Sequence, residues 1–343
     1  MTHDTCSLDW RQRFRHQLGE LGCEPSESAL LGSVFDSMTE AWSGSAVEDP
    51  RCFETGICPD GGPAELSIRA GSRNTVEIRF ICQSHVPLTP SVWPSMSRVA
   101  LDCLVRWTGR RAAEHAQRIL ARQGLLEGGR AVGSGNLRLW LGAGIRASGL
   151  VAKLYVNPWY ATPELRGFPA VHSALDFLLP EADPLRWFDR LLTAAPNLSL
   201  NFFGLNFQDQ GPSAGKAYFA SQLTGTELLA LIKEFGGCSL PDPVADRLGA
   251  RGFERGEVHL TLLFTRGRDE PELSINLFCP HWYCSRDDLI QELRVLAPEN
   301  DEFIGRIVRA QTNWPAERSF SFLGFAPSGI TAYLPLAERP RGT

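Results

Sequence analysis

Two short motifs place a lysine and a tyrosine two residues apart on predicted β-strands. Lys153 and Tyr155 lie in AKLYVNP, and Lys216 and Tyr218 lie in GKAYFA. Side chains at positions i and i+2 of a strand share a face, so each ammonium group points the same way as its phenol. Arg79, in VEIRFI, has the same facing. Solvated surface cations would explain one such strand, but three cations on a common interior face require an anion between them, and a diphosphate fits.

Aromatic side chains accompany these cations. Tyr155, Tyr218, Phe278, Tyr333 and Trp140 are all predicted on polar strand faces. Aromatic faces stabilise a nearby cation by about 0.5–2 kcal/mol each. A cage of such rings would stabilise a short-lived allylic carbocation and exclude the water that captures it. Ordinary aromatic packing is the competing interpretation for Phe278 and Trp140.

Further polar residues share these faces. Glu65 lies near Arg79, where its carboxylate either accepts a hydrogen bond from an indole N–H or a phenol, or pairs with the arginine. His259 is either a proton acceptor or a histidine satisfied by its neighbours. Arg138 and Asn276 lie on the same polar faces and are predicted to line the pocket.

The elements that position these residues are five predicted hairpins separated by helices, because the period of the apolar residues changes repeatedly between about 3.6 and 2. The predicted strand pairs are 64–70 with 75–82, 136–142 with 149–156, 197–203 with 215–221, 256–264 with 271–279, and 317–323 with 329–335. The predicted helical segments are 6–22, 27–43, 94–124, 164–193, 225–236 and 285–310. Turn residues separate the paired strands.

Each predicted strand has an apolar and a polar face. Leu200 and Phe202, and likewise Phe320 and Phe322, are assigned to the apolar faces that amphipathic helices would cover. The polar faces then meet water in an open sheet, or a lumen in a barrel. Closure is favoured because it removes sheet edges and encloses the aromatic residues. The predicted fold is α/β, of the α+β type: a closed ten-stranded antiparallel β-barrel of five αββα repeats with helices outside.

Composition narrows the class of protein. The chain has 343 residues, 43% hydrophobic and 21% charged, and we expect one domain, with N-terminal helices in 1–60 and the barrel in 61–336. The formal net charge of -5 argues against binding nucleic acid by bulk charge. We expect no membrane span and no secretory signal. The nine cysteines include no CxxC pair, which indicates reduced thiols in a cytoplasmic protein and no zinc site.

Three motifs resemble sites of other protein classes. GAGIRA at 142–147 matches GxGxxA, but strand-like residues follow it, which indicates a hairpin turn. GPSAG at 211–215 matches the nucleophile elbow of a serine hydrolase, with Ser213 as the candidate nucleophile. The segment that begins at Ser285 is typical of a helix N-cap followed by acidic residues.

Together these segments resemble the dimethylallyltryptophan synthase family of aromatic prenyltransferases, whose fold is the ten-stranded αββα PT barrel. The resemblance spans about residues 60–336 and rests on short motifs. PAELS at 63–67 is similar to the segment whose glutamate binds the indole nitrogen, here Glu65. EIRFICQ at 77–83 is similar to the strand that carries a diphosphate-binding arginine, here Arg79. The other matching segments are the two Lys-x-Tyr motifs, the first followed by Pro158, NLFCP at 276–280 and TAYL at 331–334.

The resemblance implies transfer of a dimethylallyl or longer prenyl group from its diphosphate to an indole acceptor, such as tryptophan or a tryptophan-derived natural product. It implies Glu65 as the catalytic residue that orients the acceptor. The implied diphosphate-binding residues are Arg79, Lys153, Lys216, Tyr155, Tyr218 and Tyr333, and the pocket residues are Trp140, Arg138, His259, Asn276 and Phe278. It also implies no cofactor, no required metal ion, and only small molecules as partners, as in secondary metabolism. The chain length fits the bacterial branch.

Some positions depart from the family pattern. Ala214 replaces the arginine of Arg-x-Lys-x-Tyr, and Asn276 and Phe278 replace the glutamine and tyrosine of the fourth hairpin. The diphosphate site therefore has fewer donors than is usual in the family, which leaves room for acceptors unlike free tryptophan. Two other functions remain open: a serine hydrolase that uses Ser213, and a non-catalytic barrel that binds a phosphorylated or aromatic ligand.

Overall fold

A closed barrel of ten antiparallel strands forms the centre of the molecule, in the spatial order β1-β10-β9-β8-β7-β6-β5-β4-β3-β2. The strands are β1 Ala64–Ala70, β2 Val76–Cys82, β3 Leu139–Arg146, β4 Gly149–Val156, β5 Ser199–Gln208, β6 Gly211–Thr224, β7 Arg255–Thr265, β8 Glu272–Phe278, β9 Phe322–Ala326 and β10 Gly329–Pro335. This computed structural model describes residues 10–39, 64–71, 75–82, 93–126, 139–146, 149–178, 183–208, 211–235, 240–311 and 320–335. The predicted closed ten-stranded barrel is confirmed.

Helices precede the first hairpin and connect the later ones. They are α1 Trp10–Glu20, α2 Pro25–Thr39, α3 Trp93–Thr108, α4 Arg110–Arg122, α5 Phe168–Leu178, α6 Pro184–Ala194, α7 Gly225–Phe235, α8 Asp242–Arg251, α9 Cys279–Trp282, α10 Arg286–Leu296 and α11 Asp301–Gln311. The predicted helical segments contain most of them, but α8 and the short helix α9 were not predicted. Within the described part of the chain, no helix has the length and apolarity needed to cross a membrane.

The hydrophobic core lies between the outer face of the barrel and the helices. Phe14 of α1 stacks on Phe35 of α2 with ring centroids 4.1 Å apart, and both meet the edge of Phe80 on β2. All three side chains are fully buried. The apolar faces of the strands thus pack against the helices. Because side chains alternate along a strand, the other side chains point into the lumen.

Truncating Phe80 tests this account of the core. We expect Phe80→Ala to lower the free energy of unfolding by roughly 3–5 kcal/mol, because it removes a buried ring and leaves a cavity between β2 and the first two helices. Phe253→Ala is the matched control, since that ring is 92% exposed, and we expect a change within about 0.5 kcal/mol. Denaturant unfolding of both variants measures the difference, and equal losses would contradict the packing described.

The prediction for Phe202 is wrong. Its ring lies in the lumen instead of on the helix-covered face. The pairing of β5 with β6 shifts between Leu200 and Phe202, because Leu200 is opposite Phe219 while Phe202 is opposite Tyr218. A β-bulge at this point adds one residue to β5 and reverses the facing of the side chains that follow.

The facing predicted for Phe322 is also wrong. The chain bends at Ser321 and β9 begins only at Phe322, which pairs with Phe278 and lines the lumen. Leu323 and Phe325 take the outer face, where both are buried. An alternation counted from Phe320 therefore has the wrong phase, because the strand does not continue through the bend.

Candidate active site

The barrel interior encloses a cavity of about 290 Å³, which is the size of a pocket for small molecules. Every predicted site residue that the structure describes lines this cavity: Glu65, Arg79, Lys153, Lys216, Tyr155, Tyr218, Tyr333, Trp140, His259, Asn276 and Phe278. Arg138 lies outside the described residues. Five further lining residues were not predicted as site residues: Ser67, Ile81, Phe202, Glu257 and Phe322.

The cations of the cavity lie toward one end of the barrel. The odd-numbered strands end, and the even-numbered strands begin, at the same end of this antiparallel barrel, which we call the hairpin end. Lys153 is nearer the start of β4 than Tyr155, and Lys216 is nearer the start of β6 than Tyr218. Glu65 lies at the other end of its strand, next to the first residue of β1. The lumen is therefore basic toward the hairpin end and acidic toward the opposite end.

Arg79 is the most constrained of the cations. Its side chain is buried, and Nη2 donates a hydrogen bond to Oγ1 of Thr331 at 3.0 Å. Its Nε is buried without a hydrogen-bond partner among the described residues. Gly144 lies directly opposite on β3, where an added Cβ would be 2.6 Å from Cγ of Arg79. A buried guanidinium with an unused donor is suited to receive an anion.

The two lysines lie on either side of β5. Lys153 on β4 is opposite Asn206, and Lys216 on β6 is opposite Gly204. Strands two apart in a sheet are separated by roughly 10 Å, so two lysine side chains on a common inner face can converge on one diphosphate. Lys153 is buried and Lys216 is partly buried. Both ammonium groups are thus directed into a space with little access to bulk water.

Three tyrosines lie beside Arg79. Burial raises the pKa of Tyr155, Tyr218 and Tyr333, so all three remain neutral phenols near pH 7. The positive charge of Arg79 opposes this rise for each of them, which places the guanidinium close to all three phenols. Tyr155 and Tyr218 are also hydrogen-bonded to each other. The phenols can therefore act as neutral donors and as aromatic walls.

An aromatic cluster continues from these tyrosines into the barrel. Trp140 stacks on Tyr155 at 5.8 Å between ring centroids, and Phe202 stacks on Tyr218 at 4.3 Å. Trp140 and Phe202 meet edge to face at 4.9 Å. The indole Nε1 of Trp140 is buried without a hydrogen-bond partner in the described part of the chain. These rings form a wall without charge next to the cationic groups.

Glu65 lies in the acidic part of the lumen and is 5% exposed. The hydroxyl of Ser321 donates a hydrogen bond to its Oε1. The backbone N–H of Ser321 donates to the carbonyl of Tyr333 at 3.0 Å, which fixes the serine beside the carboxylate. This arrangement orients Glu65 as a hydrogen-bond acceptor toward the cavity. Ser321 was not among the predicted site residues.

Glu257 and His259 form a second polar group in the lumen. Nε2 of His259 is 3.0 Å from Oε1 of Glu257, and this hydrogen bond lowers the pKa of the glutamate. The backbone N–H of Glu257 donates to Nδ1 of His281 at 3.0 Å, and Trp282 donates to the carbonyl of Glu257. Glu257 is therefore held as a carboxylate at a defined position. Its place two residues before His259 on β7 was the signal available in the sequence.

The other motifs lie within strands or at a helix N-cap. Ser213 lies within β6, and its hydroxyl donates to the carbonyl of Asn206 at 3.3 Å. A nucleophile elbow requires a strand-to-helix turn, so the hydrolase interpretation is wrong. GAGIRA was predicted to be a hairpin turn, but its residues 142–146 belong to strand β3, which continues further than expected. Ser285 caps α10 by accepting a hydrogen bond from the N–H of Asp288. Among the described residues, no three His, Cys, Asp or Glu side chains are grouped to hold a metal ion.

Two departures from the family pattern have structural counterparts. Ala214 is buried on β6 opposite Asn206 and contributes no charge to the hairpin end of the lumen. Asn276 packs against Gly324, where an added Cβ would be 2.4 Å from its Oδ1, and its Nδ2 donates to the carbonyl of His259. The cationic lining residues in the described part of the chain are thus Arg79, Lys153 and Lys216.

No protein-family model matches the chain, and no curated protein matches it by sequence. Solved structures do match it over nearly its whole length. The 6-dimethylallyltryptophan synthase from Micromonospora olivasterospora, in complex with DMASPP and Trp, is 18% identical over 96% of this chain and 98% of its own, with a TM-score of 0.76. The 5-dimethylallyl tryptophan synthase from Streptomyces coelicolor, also with DMASPP and Trp, is 16% identical over 97% and 96%, with a TM-score of 0.70. AnaPT from Neosartorya fischeri is 13% identical over 100% and 96%, with a TM-score of 0.64.

The topology and the lumenal cavity define a class: a closed barrel of antiparallel hairpins that holds its polar groups inside and its helices outside. Within that class, the chain has the PT-barrel fold of the dimethylallyltryptophan synthases. The resemblance inferred from short motifs is thereby confirmed at the level of the fold.

Proposed function

We propose that this protein is an aromatic prenyltransferase that transfers a dimethylallyl or longer prenyl group from its diphosphate to an indole acceptor. The observation that carries the proposal is the polarity of the enclosed lumen. Arg79, Lys153 and Lys216 lie toward one end, Glu65 lies toward the other, and neutral tyrosines lie between them. Such a cavity matches a substrate pair with one anionic and one aromatic member. The bound tryptophan and DMASPP of the structural neighbours support it.

The cationic groups would activate the donor. As the allylic C–O bond breaks, negative charge accumulates on the departing diphosphate, and preorganised cations in a water-poor site stabilise that charge. The carbon left behind becomes an allylic carbocation. Tyr155, Tyr218 and Tyr333 surround the reaction space with neutral rings, which stabilise the carbocation and exclude water. The released diphosphate stays bound by the same three cationic side chains.

The carboxylate of Glu65 would orient the acceptor. An indole N–H that donates to Glu65 increases the electron density of the ring, and a ring carbon then attacks the carbocation. A new C–C bond forms, and the ring carbon loses its proton, which an oxygen of the released diphosphate can accept. The overall reaction is an electrophilic aromatic substitution. Trp140 and Phe278 would be the walls of this pocket, with His259 and Asn276 at its polar side.

Product formation tests the proposal. The folded protein is incubated with dimethylallyl, geranyl or farnesyl diphosphate and a panel of indoles and phenols, and the products are analysed by mass spectrometry. We expect prenylated indoles. A folded protein that forms no product with any pair would contradict the enzymatic claim. Binding of inorganic diphosphate without turnover would instead favour the non-catalytic barrel.

Metal removal is a separate prediction. Because three cationic side chains can neutralise the diphosphate, we expect EDTA to change the initial rate by less than about twofold, in contrast to enzymes in which a metal ion clamps the phosphoryl oxygens. The control is the same assay with added Mg²⁺. If EDTA abolished the activity and Mg²⁺ restored it, a metal ion would be what neutralises the diphosphate.

The wider expectations stay predictions. We propose one catalytic domain over residues 1–343 that works in the cytoplasm on small molecules, with neither nucleic acid nor a membrane as a partner.

A further inference from the structure

The acidic end of the lumen contains a carboxylate beside aromatic rings. Oε1 of Glu257 is bound by His259, and Oε2 has no hydrogen-bond partner among the described residues. The imidazole of His259 lies over Phe322 at 4.5 Å between ring centroids, and Phe322 contacts Phe278 at 5.3 Å. All four side chains line the cavity. A carboxylate with an unused oxygen, in a cavity that aromatic rings also line, is the chemistry that recognises an organic ammonium ion.

This group is connected to Glu65 by a short series of contacts. The carbonyl of Ser321, whose hydroxyl holds Glu65, accepts a hydrogen bond from the N–H of Cys279 at 2.9 Å. The preceding residue, Phe278, contacts the ring of His281 at 4.8 Å, and His281 accepts from the N–H of Glu257. Two carboxylates thus lie at the same end of the lumen with Phe278 between them. A flat acceptor with a donor at each end could contact both.

We propose that Glu257, His259, Phe278 and Phe322 form an ammonium site that binds a protonated amine on the side chain of the acceptor. The inference rests on the proposed function, since it places the indole N–H on Glu65. It narrows the acceptor class to indoles whose 3-substituent carries a basic amine. With a neutral imidazole that donates Nε2–H, the Glu257–His259 pair keeps one negative charge for the amine.

The same end of the lumen is unfavourable for a free carboxylate. Among the described residues that line the cavity, the lysines and arginines are Arg79, Lys153 and Lys216. In the proposed function all three bind the diphosphate, so none is left to bind a carboxylate of the acceptor. A carboxylate on the acceptor would instead face Glu257. We therefore expect tryptamine to bind more tightly than tryptophan, and indole-3-propionate to bind least well.

Calorimetric binding to the wild-type protein tests the site without requiring turnover. The ligands are tryptamine, its neutral analogue 3-ethylindole, tryptophan and indole-3-propionate, at about pH 8, where an alkylamine is protonated. We expect tryptamine to bind at least roughly tenfold more tightly than 3-ethylindole, because one charge-assisted hydrogen bond has about this effect on affinity. Equal affinities of the two ligands would overturn it.

Matched variants assign the effect to Glu257. In Glu257→Gln, the ratio of the affinities for tryptamine and 3-ethylindole is expected to fall by roughly tenfold, because the charge is lost while the size is kept. In Glu254→Gln the ratio is expected to stay constant, since this neighbouring glutamate is 73% exposed at the surface. A ratio that Glu257→Gln leaves unchanged would overturn the assignment. Because the wild-type ligand series needs no variant, it remains decisive even if a variant is unstable.

The inference and the proposed function fail in different ways. Prenylation of 3-ethylindole and tryptamine with equal efficiency would leave the transferase standing and remove the ammonium site. Selective binding of tryptamine without any prenylated product would support the ammonium site and contradict the transferase.

Discussion

Replacing Arg79 with glutamine is expected to lower kcat/KM for the prenyl diphosphate by roughly 10²- to 10³-fold, the loss seen when one preorganised donor to a developing anion is removed. The side chain is 6% exposed, so water has little access to replace the missing charge. Thr331 on β10 and Gly144 on the adjacent strand β3 hold it in place from two sides. Steady-state kinetics with varied donor concentration measure the effect.

Arg110→Gln is the matched control for Arg79. This arginine lies on α4 with a side chain that is 88% exposed, where it pairs with Glu114. The same substitution there changes the net charge equally, and we expect kinetics within about 1.5-fold of wild type because the charge is screened by solvent. Inorganic diphosphate should inhibit the wild type and Arg110→Gln equally, and Arg79→Gln more weakly. An Arg79→Gln variant with wild-type kinetics would mean that the diphosphate is not bound at this end of the lumen.

The double variant Arg79→Gln with Lys153→Gln tests whether both side chains hold one anion. Residues that act on the same group are strongly non-additive. If the two cations share a diphosphate, the loss in the double variant should be smaller than the product of the two single losses. Independent losses that multiply would indicate two separate binding sites.

The regular part of the fold could be predicted from sequence because it depends on local alternation. The bounds of β1, β4 and β10 agree with the predicted ranges, and the alternation placed Lys153 and Lys216 on the lumenal face. Strand period, turn residues and amphipathic helices act within a few residues of each other. These local signals do not by themselves predict that the sheet closes into a barrel. Closure was predicted because the polar strand faces also carry aromatic residues, which favour an enclosed space.

The errors occurred where facing depends on pairing between distant segments. Phe202 enters the lumen because of a bulge in the β5–β6 pairing, and Phe322 because the chain bends at Ser321 before β9 begins. Neither feature has a signal within its own strand. In both cases the structure places in the lumen an aromatic ring that was predicted on the outer face. The sequence analysis therefore underestimated the number of apolar side chains that line the lumen.

Glu257 illustrates a different limit. It lies two residues before His259 and therefore shares its strand face. Its position depends, however, on His281 and Trp282 of α9, which bind its backbone. Those contacts form only when β7 and β8 are paired and the chain turns into α9. A polar residue on a lumenal face is thus predictable, whereas the partners that hold it are not. The chemical roles assigned to the individual site residues stay predictions until they are tested.

Glu65→Gln is expected to lower kcat with an indole acceptor by roughly 10²- to 10³-fold, the range for removal of a positioned general base or a charged hydrogen-bond partner. The substitution keeps the size and the acceptor oxygen but removes the negative charge that activates the ring. Ser321→Ala, which removes the hydroxyl that orients the carboxylate, should produce a smaller loss. Circular dichroism and thermal unfolding of both variants establish that the barrel is intact.

An N-methylated acceptor separates this role from a structural one. N-methylation removes the indole N–H, so the wild type loses the contact that Glu65 provides, and the ratio of wild-type to Glu65→Gln rates should fall toward one. A carboxylate that merely pairs with Arg79 would give the same ratio for both acceptors, because the loss would then lie in the donor site. The two substrates and two proteins form a cycle whose coupling measures the N–H contact alone. Coupling of zero would assign Glu65 to the diphosphate end and remove the basis for placing the acceptor between the two carboxylates.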